Sequence, residues 1–420
     1  MNHLLIDEVS KSLDKFCSWL DAYGEVSYDH QSYYAGNYGR WAKALYYRKP
    51  LLGTLAVSPM VFSEAFLPTA RKLFWQPQRF PIADAHYAMG FAFLATVTGK
   101  DAHYRRAVHF LDVLLETRSP GFEDFGWGYP FDWETRTGTM KRGTPMITSL
   151  PYVFEAFSQV YGMDHDPRWL EIMHSIARHA ANAYKDNPTS SDASSCAYIP
   201  GPKDAGGVVN ASAYRAFLLT KAAIELFEPR YLEIAQRNLN FVLQAQNSDG
   251  SWYYSIDGTR DFVDHFHTCF VMKALAKIEQ LTGDTACRSA IEKGVPYYLS
   301  QLFDEEHLPK PFSKRPRLTV YRHELYDYAE CINLAVLLNG RFPELDRTLK
   351  VVVSDVLERW QRQDGSFRAR QLLLGWDNVP MHRWAQSQMF RSLAFFLVRS
   401  ALPAADSNAE SVQLAQQFLS

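Results

Sequence analysis

Residues 246–252 read QNSDGSW and residues 361–367 read QRQDGSF, two nearly identical loops 115 residues apart. A third stretch, GFEDFGWGY at 121–129, shares their acid–glycine–aromatic character and precedes the first by about 125 residues. Each ends one long helical pattern and precedes another. A second set of turns is interleaved with them, marked by Asp101, Asp166, Pro229, Asp284 and Pro343 at spacings of 65, 63, 55 and 59 residues. An acidic or proline turn followed by a periodic apolar run is a helix stop-and-start signal. Each unit of about 60 residues therefore holds two helices of ordinary length and two turns, a helical hairpin.

The two helices of a hairpin differ in character. Segments such as ADAHYAMGFAFLATV, TSLPYVFEAFSQVY, ASAYRAFLLTKAAIELF, HTCFVMKALAKIEQL, AECINLAVLL and WAQSQMFRSLAFFLV are apolar around most of their circumference. Their partners, such as YRRAVHFLDVLLETR and YLEIAQRNLNFVLQAQ, carry one apolar stripe and one charged face. The first kind belongs inside and the second outside. Six alternations predict an all-α (α/α)6 barrel, a toroid over residues 1–402, with long loops gathered at one mouth. The sixth hairpin lacks a downstream partner, so the N-terminal helix around Ile6 to Tyr23 is expected to complete the ring. An open helical solenoid is the competing reading, disfavoured by the length of the repeats and their aromatic loops. Residues 403–420 read as a polar tail.

Composition narrows the function. A formal net charge of -2 and a pI near 6.7 give no support for a nucleic-acid partner. Five widely spaced cysteines without a CxxC read as reduced thiols. The amphipathic N-terminus does not resemble a signal peptide, and SLAFFLV is too short to span a bilayer. A cytoplasmic protein without stable membrane insertion is expected.

The loops entering the inner helices carry the chemistry. They hold His86; Trp127, Tyr129, Asp132 and Trp133; Asn210 and Tyr214; Asp264, His265 and His267; Arg322, His323, Glu324, Tyr326 and Asp327; and His382, Arg383 and Trp384. Each has a plainer reading. Asp264 and Asp327 fit helix N-caps, and single tryptophans are more often core than platform. Together, aromatic faces lining a polar funnel suit a saccharide, whose C–H faces stack while its hydroxyls find polar side chains. Asp132, set between two tryptophans after Pro130, is expected to have a raised pKa and to donate a proton.

Zinc at His265 and His267 is disfavoured, because helical residues two apart face away from each other. No metal and no cofactor are expected, and P-loop, GxGxxG and GxSxG motifs are absent. The run KPFSKRPRLTVYR places Lys310, Lys314, Arg315, Arg317 and Arg322 within 13 residues. It reads either as a solvated loop or as a face for an anionic sugar, with Arg383 as a carboxylate clamp.

WGYPFDW, Thr144–Pro145, VNAS at 209–212, QNSDGSWYYSI, FVDHFHTCFV and RWAQSQMFRSLAFFL resemble a bacterial family of helical toroids associated with exopolysaccharide and lipopolysaccharide biosynthesis. That resemblance implies a toroid and an association with polysaccharide-synthesis machinery, and carries no catalytic assignment. QNSDGSW is also similar to the Q-x-x-x-G-x-W repeat of squalene and hopene cyclases, within the broader six-hairpin and terpenoid-cyclase-like toroid superfamily. The DxDD and DDxxD motifs of terpene chemistry are missing. N-acyl-glucosamine 2-epimerases, unsaturated glucuronyl hydrolases and uronate epimerases and lyases are similar in architecture, an analogy of fold.

The expected function is a carbohydrate-active enzyme of polysaccharide biosynthesis or modification acting on an acidic sugar by proton abstraction, giving epimerisation or elimination. His267 is the expected base, Tyr129 or Tyr326 the opposing acid, and Arg383 the neutralising cation. Two alternatives are a glycoside hydrolase using two carboxylates from Asp132, Asp264, Glu324 and Asp327, and a non-catalytic glycan-binding or assembly factor.

Overall fold

In the computed structural model, which describes residues 3–136, 138–201, 204–316 and 319–401, the chain begins with α1 (His3–Tyr23). Its buried residues Leu5, Val9, Leu13, Phe16 and Leu20 recur at helical spacing and form one stripe. Next come a short α2 (Ser32–Ala35), the paired helices α3 (Asn37–Arg48) and α4 (Pro50–Phe66), and a 3-10 turn at Pro68–Leu73. This insertion was not anticipated from the sequence.

Five hairpins follow: α5 (Pro81–Thr98) with α6 (Asp101–Glu116), α7 (Leu150–Asp164) with α8 (Pro167–Asn182), α9 (Val209–Glu225) with α10 (Tyr231–Gln244), α11 (His265–Thr282) with α12 (Thr285–Gln301), and α13 (Leu325–Leu337) with α14 (Pro343–Asp355). A π-helical turn at His382–Gln386 leads into α15 (Ser387–Ala401). Each odd-numbered helix from α5 packs on the next, and α15 packs on both α5 and α1. The ring is closed and α1 supplies its sixth outer helix, as expected. An open solenoid is excluded.

The inner–outer contrast follows from side-chain chemistry. In α9 every position from Val209 to Ala223 is buried, whereas in α10 burial is confined to a stripe through Tyr231, Ala235, Leu239 and Val242. The repeated loops are staples between neighbouring outer helices. The Gln246 side chain donates to Gly250 O at 3.0 Å and to Ala290 O on α12 at 2.9 Å. The Gln361 side chain donates to Gly365 O at 3.1 Å and to Ser12 O on α1 at 2.9 Å. Gly250 and Gly365 have φ of +95° and +93°, and a Cβ on either would lie 2.2 and 2.3 Å from the carbonyl oxygens of Lys293 and Lys15. Only glycine meets both demands. In the third loop Asp124 bonds Ser175 and Arg178 of α8. The sequence repeat thus records outer-helix docking, and its last copy records ring closure.

Among the described residues nine short strands form antiparallel ribbons in the loops, beginning with β1 (Trp133–Thr135) on β2 (Gly138–Met140) and β3 (Asp186–Pro188) on β4 (Ser194–Cys196) and ending with β9 (Trp376–Asp377). Those that shape the mouth are β5 (Val263–Asp264) with β6 (Phe312–Lys314), and β7 (Tyr321–Glu324) with β8 (Arg370–Leu372). Among the described residues no helix is long and apolar enough to cross a membrane. The polar tail expected at 403–420 lies outside the described residues, as does Arg317.

Candidate active site

The β5 ladder holds Asp264 extended (φ -117°, ψ 168°), and the chain turns into α11 at His265. Asp264 is therefore an N-cap, its Oδ1 accepting the His267 backbone N–H at 3.0 Å. Its second oxygen lies 2.6 Å from His267 Nδ1. That bond assigns the proton of a neutral imidazole to Nδ1 and leaves the Nε2 lone pair free. Nε2 has no partner among the described residues and is not enclosed. Asp264 is buried, while the His267 ring keeps 22% of its surface open to the mouth.

His265 points the other way. Its Nδ1 donates to Leu302 O at 3.1 Å and its Nε2 accepts from Tyr298 at 2.7 Å. Burial drives its pKa down to about 3. His265 is thus a satisfied core histidine, which corrects its expected place in substrate binding. Among the described residues no group of three or more His, Cys, Asp or Glu side chains is placed to hold a metal ion.

Half-buried aromatics wall the mouth. Tyr254 stands 4.7 Å from the His267 ring, Phe266 and Trp384 meet edge to face at 5.7 Å, and Tyr129 lies 5.0 Å from Trp133. Beneath Trp384, Tyr326 stacks at 4.8 Å and accepts a bond from Gln388 at 3.4 Å. Gln388 also donates to His86, whose ring contacts Tyr152, and Tyr152 bonds Tyr214. Farther along the inner helices the ion pairs Lys273–Glu330, Lys277–Glu155 and Arg391–Glu330 meet, and Lys273, Lys277, Glu155 and Arg391 line a small cavity. Around the partly open His267 ring, Tyr254, Phe262, Phe266 and Phe270 make an aromatic cup.

One wall comes from residues absent from the sequence reading. Asp29, from the loop before α2, takes the Arg383 guanidinium on both oxygens, at 3.0 and 2.6 Å. Arg383 also donates to the Tyr129 hydroxyl at 3.1 Å and lies over the Tyr129 and Trp384 rings. Its fork is already occupied by a carboxylate, which corrects the expected clamp on substrate. Glu324 is held by Arg370 and the Trp384 indole N–H, and His30 Nε2 lies 3.4 Å away. Burial raises the Glu324 pKa against the pull of Arg370. Burial, then the charges of Arg370, Arg71 and Arg383, hold His30 well below the usual imidazole range. Both His30 ring nitrogens are buried without a hydrogen-bond partner. The local signal was SYDHQ at 27–31, a second Asp–His doublet beside aromatics.

Several expected roles are corrected by surroundings. Asp132 accepts the Arg142 backbone N–H at 2.9 Å and pairs with Lys141 and Arg40. These contacts, the backbone bond foremost, lower its pKa, so it is an ionised anchor and not a proton donor. Trp127 is fully buried and donates to Leu114 O at 2.8 Å, which makes it core. Trp133 is half-buried, with the Lys43 ammonium 4.9 Å from its ring. His382 bonds Tyr87 at 2.6 Å and Gly24 O at 2.9 Å and is buried, its pKa lowered to about 4. His323 is tied to Pro309 O at 2.9 Å, and Arg322 is exposed on β7. Asp327 does not cap α13; it is fully buried in the first turn with both oxygens unpartnered, and burial, then the charges of Glu324 and Asp264, raise its pKa well above the usual carboxylate range. Asn210 is buried at the start of α9 with Oδ1 unpartnered. In the basic segment Lys314, at the end of β6, pairs with Asp261 and Arg315 is exposed, so these two cations face solvent.

No family model matches the chain, and no curated protein matches it in sequence. Solved structures do match in fold. Cellobiose 2-epimerase from Bacillus thermoamylovorans superposes with a TM-score of 0.60 at 10% identity, over 76% of this chain and 87% of that one. A D-mannose isomerase gives 0.57 at 12% identity, over 77% and 88%. A glycosyl hydrolase family 88 protein from Bacteroides vulgatus gives 0.53 at 12% identity, over 76% and 90%. The chain shares the (α/α)6 toroid with these proteins.

Proposed function

We propose that the protein is a carbohydrate-active enzyme that removes a proton from a sugar carbon beside a carbonyl, with epimerisation or isomerisation as the outcome. The observation that carries this reading is the Asp264–His267 pair, fixed at 2.6 Å, with Nε2 open to an aromatic cup. Nε2 takes the proton, and the C–H electron pair moves toward the carbonyl oxygen. Asp264 stabilises the imidazolium that forms, as a buried carboxylate does for a general base. Tyr129, raised in pKa by burial and oriented by Arg383, remains a phenol that donates to the developing enolate oxygen. The imidazolium then returns the proton from Nε2 to the other face of the carbon once the enolate has turned over, which inverts the carbon and restores the neutral base.

A neutral sugar with an accessible carbonyl suits this cup better than a uronate, since Asp29 already neutralises Arg383. The same fact weighs against elimination beside a carboxylate. Hydrolysis has less support: Asp132 and Glu324 are engaged by cations, and Asp327 is sealed in the core. The resemblance to exopolysaccharide and lipopolysaccharide proteins supports a place in polysaccharide synthesis or modification, with its synthesis machinery as partner.

The test is proton NMR of neutral and acidic reducing oligosaccharides incubated with the protein in D2O. Loss of a ring-proton signal next to the carbonyl, without cleavage, is expected. New anomeric signals from cleavage would replace the proposal with hydrolysis, new vinyl signals with a lyase. Line broadening on binding with no exchange would leave a glycan-binding protein.

A further inference from the structure

The α3–α4 hairpin is built inside out. On α4, Leu51, Leu55, Pro59, Phe62 and Phe66 follow at steps of four, four, three and four, which sets them along one face. That face is outward: Leu51 is 87% exposed, Leu55 70% and Phe62 58%. Leu67 and Leu73 extend it beyond the helix. The opposite face, through Gly53 and Met60, is the buried one. A helix apolar on both sides is normally enclosed, and a continuous exposed apolar face marks a contact surface.

The surroundings say what covers it. Residues 37–73 hold six Lys and Arg and one carboxylate, Glu64. That is a balance of +5 within a chain of net -2, so the remainder carries -7. Glu64 turns inward to Arg370, Arg71 is buried against Asp377 and Arg40 pairs with Asp132, so the outward charge rests on the remaining cations. Arg48, Lys49 and Lys72 are exposed beside the apolar face. Tyr38, Trp41 and Tyr46 of α3 are exposed on the same hairpin. Apolar side chains with aromatics and cations at their margin match the interface of an anionic bilayer, where tails, carbonyl region and phosphates lie in that order. A second copy of the chain would instead bring two positive hairpins together.

We propose that the α3–α4 hairpin is a docking surface for anionic membranes, inserting Leu51, Leu55 and Phe62 below the headgroups while Arg48 and Lys49 meet phosphates. The hairpin is also pinned to the rim of the cup, through Arg40 to Asp132 and Glu64 to Arg370. Docking therefore fixes the rim relative to the membrane surface. This proposal is independent of the reaction assigned to His267.

The experiment is flotation of the full chain with vesicles of phosphatidylethanolamine and phosphatidylglycerol, and with phosphatidylcholine alone. Wild-type protein is expected to float with the anionic vesicles, and weakly or not at all with the neutral ones, with binding reduced by high salt. Leu51→Ser/Leu55→Ser/Phe62→Ser, all at exposed positions, should lower the partition by about tenfold or more at an unchanged melting temperature. Arg48→Glu/Lys49→Glu should lose binding to anionic vesicles with the apolar face intact, which keeps the test valid if the triple variant misfolds. Wild-type protein that stays at the bottom with anionic vesicles overturns the proposal. So does a wild-type dimer, seen by sedimentation velocity, that the triple variant converts to monomer while vesicles bind neither.

Discussion

Asp264 grips His267 at two points, accepting its backbone N–H at 3.0 Å and facing its Nδ1 at 2.6 Å, so helix cap and imidazole orientation are fixed by one carboxylate. The two bonds separate under mutation. Asp264→Asn keeps an oxygen for the cap but offers a neutral amide to Nδ1, and so removes the stabilisation of an imidazolium. Catalysed exchange should fall about a hundred- to ten-thousand-fold, with stability lowered by about 1 kcal/mol or less. His267→Asn should abolish exchange and retain saccharide binding. Rates from deuterium incorporation and affinities from titration calorimetry check both.

Asp29 and Arg383 form a buried pair, with side chains only 1% and 7% exposed. Removing the carboxylate leaves an uncompensated cation in the wall of the cup. Asp29→Asn should cost about 3–5 kcal/mol of stability and loosen Tyr129, which shares the same guanidinium. Arg383→Lys keeps the charge and loses the fork, so it should also destabilise. Urea denaturation at neutral pH measures both changes. A loss below about 1 kcal/mol in Asp29→Asn would contradict the geometry.

What the sequence made legible, and what it hid, follows from the range of the interactions. All-round apolar runs and single stripes are local patterns, and they specify inner and outer helices without knowledge of partners. The DGS loops are local too, and their repetition carried the ring. The orientation of His267 by Asp264 was legible because the two lie within one helical turn. Arg383 and Asp29, separated by 354 residues, meet only because the ring closes, so no spacing could announce that the clamp was occupied. Trp127 and Asp132 occupy the same short stretch, yet one is sealed against Leu114 and the other anchored by Arg40 from the inserted hairpin. Side-chain direction there depends on an element whose docking is tertiary.

The buried neutral histidines should each cost this protein stability in acid. His265 and His382 have pKa values lowered to about 3 and about 4 by burial, against about 6.5 in an unfolded chain. Between those values the unfolded state binds more protons, so their stabilising contribution is present above pH 6.5 and is lost as pH falls toward 4. At pH 5 each costs about 2 kcal/mol relative to pH 8. Buried Asp84, raised to about 7 chiefly by burial, acts in the opposite sense and offsets about one of them. His30 and His86, also held well below the usual range, add to the loss, while Glu324 and Asp327, raised chiefly by burial, act with Asp84 against it. Unfolding free energy measured by urea at pH 8, 7, 6 and 5 should depend on pH with a slope that His265→Gln lowers by about one proton between pH 6 and 5. A slope that His265→Gln leaves unchanged would contradict the assignment.

Ring closure can be tested at a single atom. Gly365 sits in the last DGS loop with φ of +93°, and a Cβ there would meet Lys15 O of α1 at 2.3 Å. Gly250 has the same conformation against Lys293 of α12. In each case alanine faces left-handed backbone strain, about 1–3 kcal/mol, and a backbone clash that a side chain cannot relieve by rotating. The two substitutions should therefore destabilise by comparable amounts but loosen different places. Gly365→Ala should raise amide hydrogen exchange in α1, because Gln361 and Gly365 are what staple that helix to α14. Gly250→Ala should raise exchange in α12 and leave α1 protected. If Gly365→Ala left α1 as protected as in the wild type, the N-terminal helix would owe its place to packing on α15 alone, and the DGS loop would not be its staple.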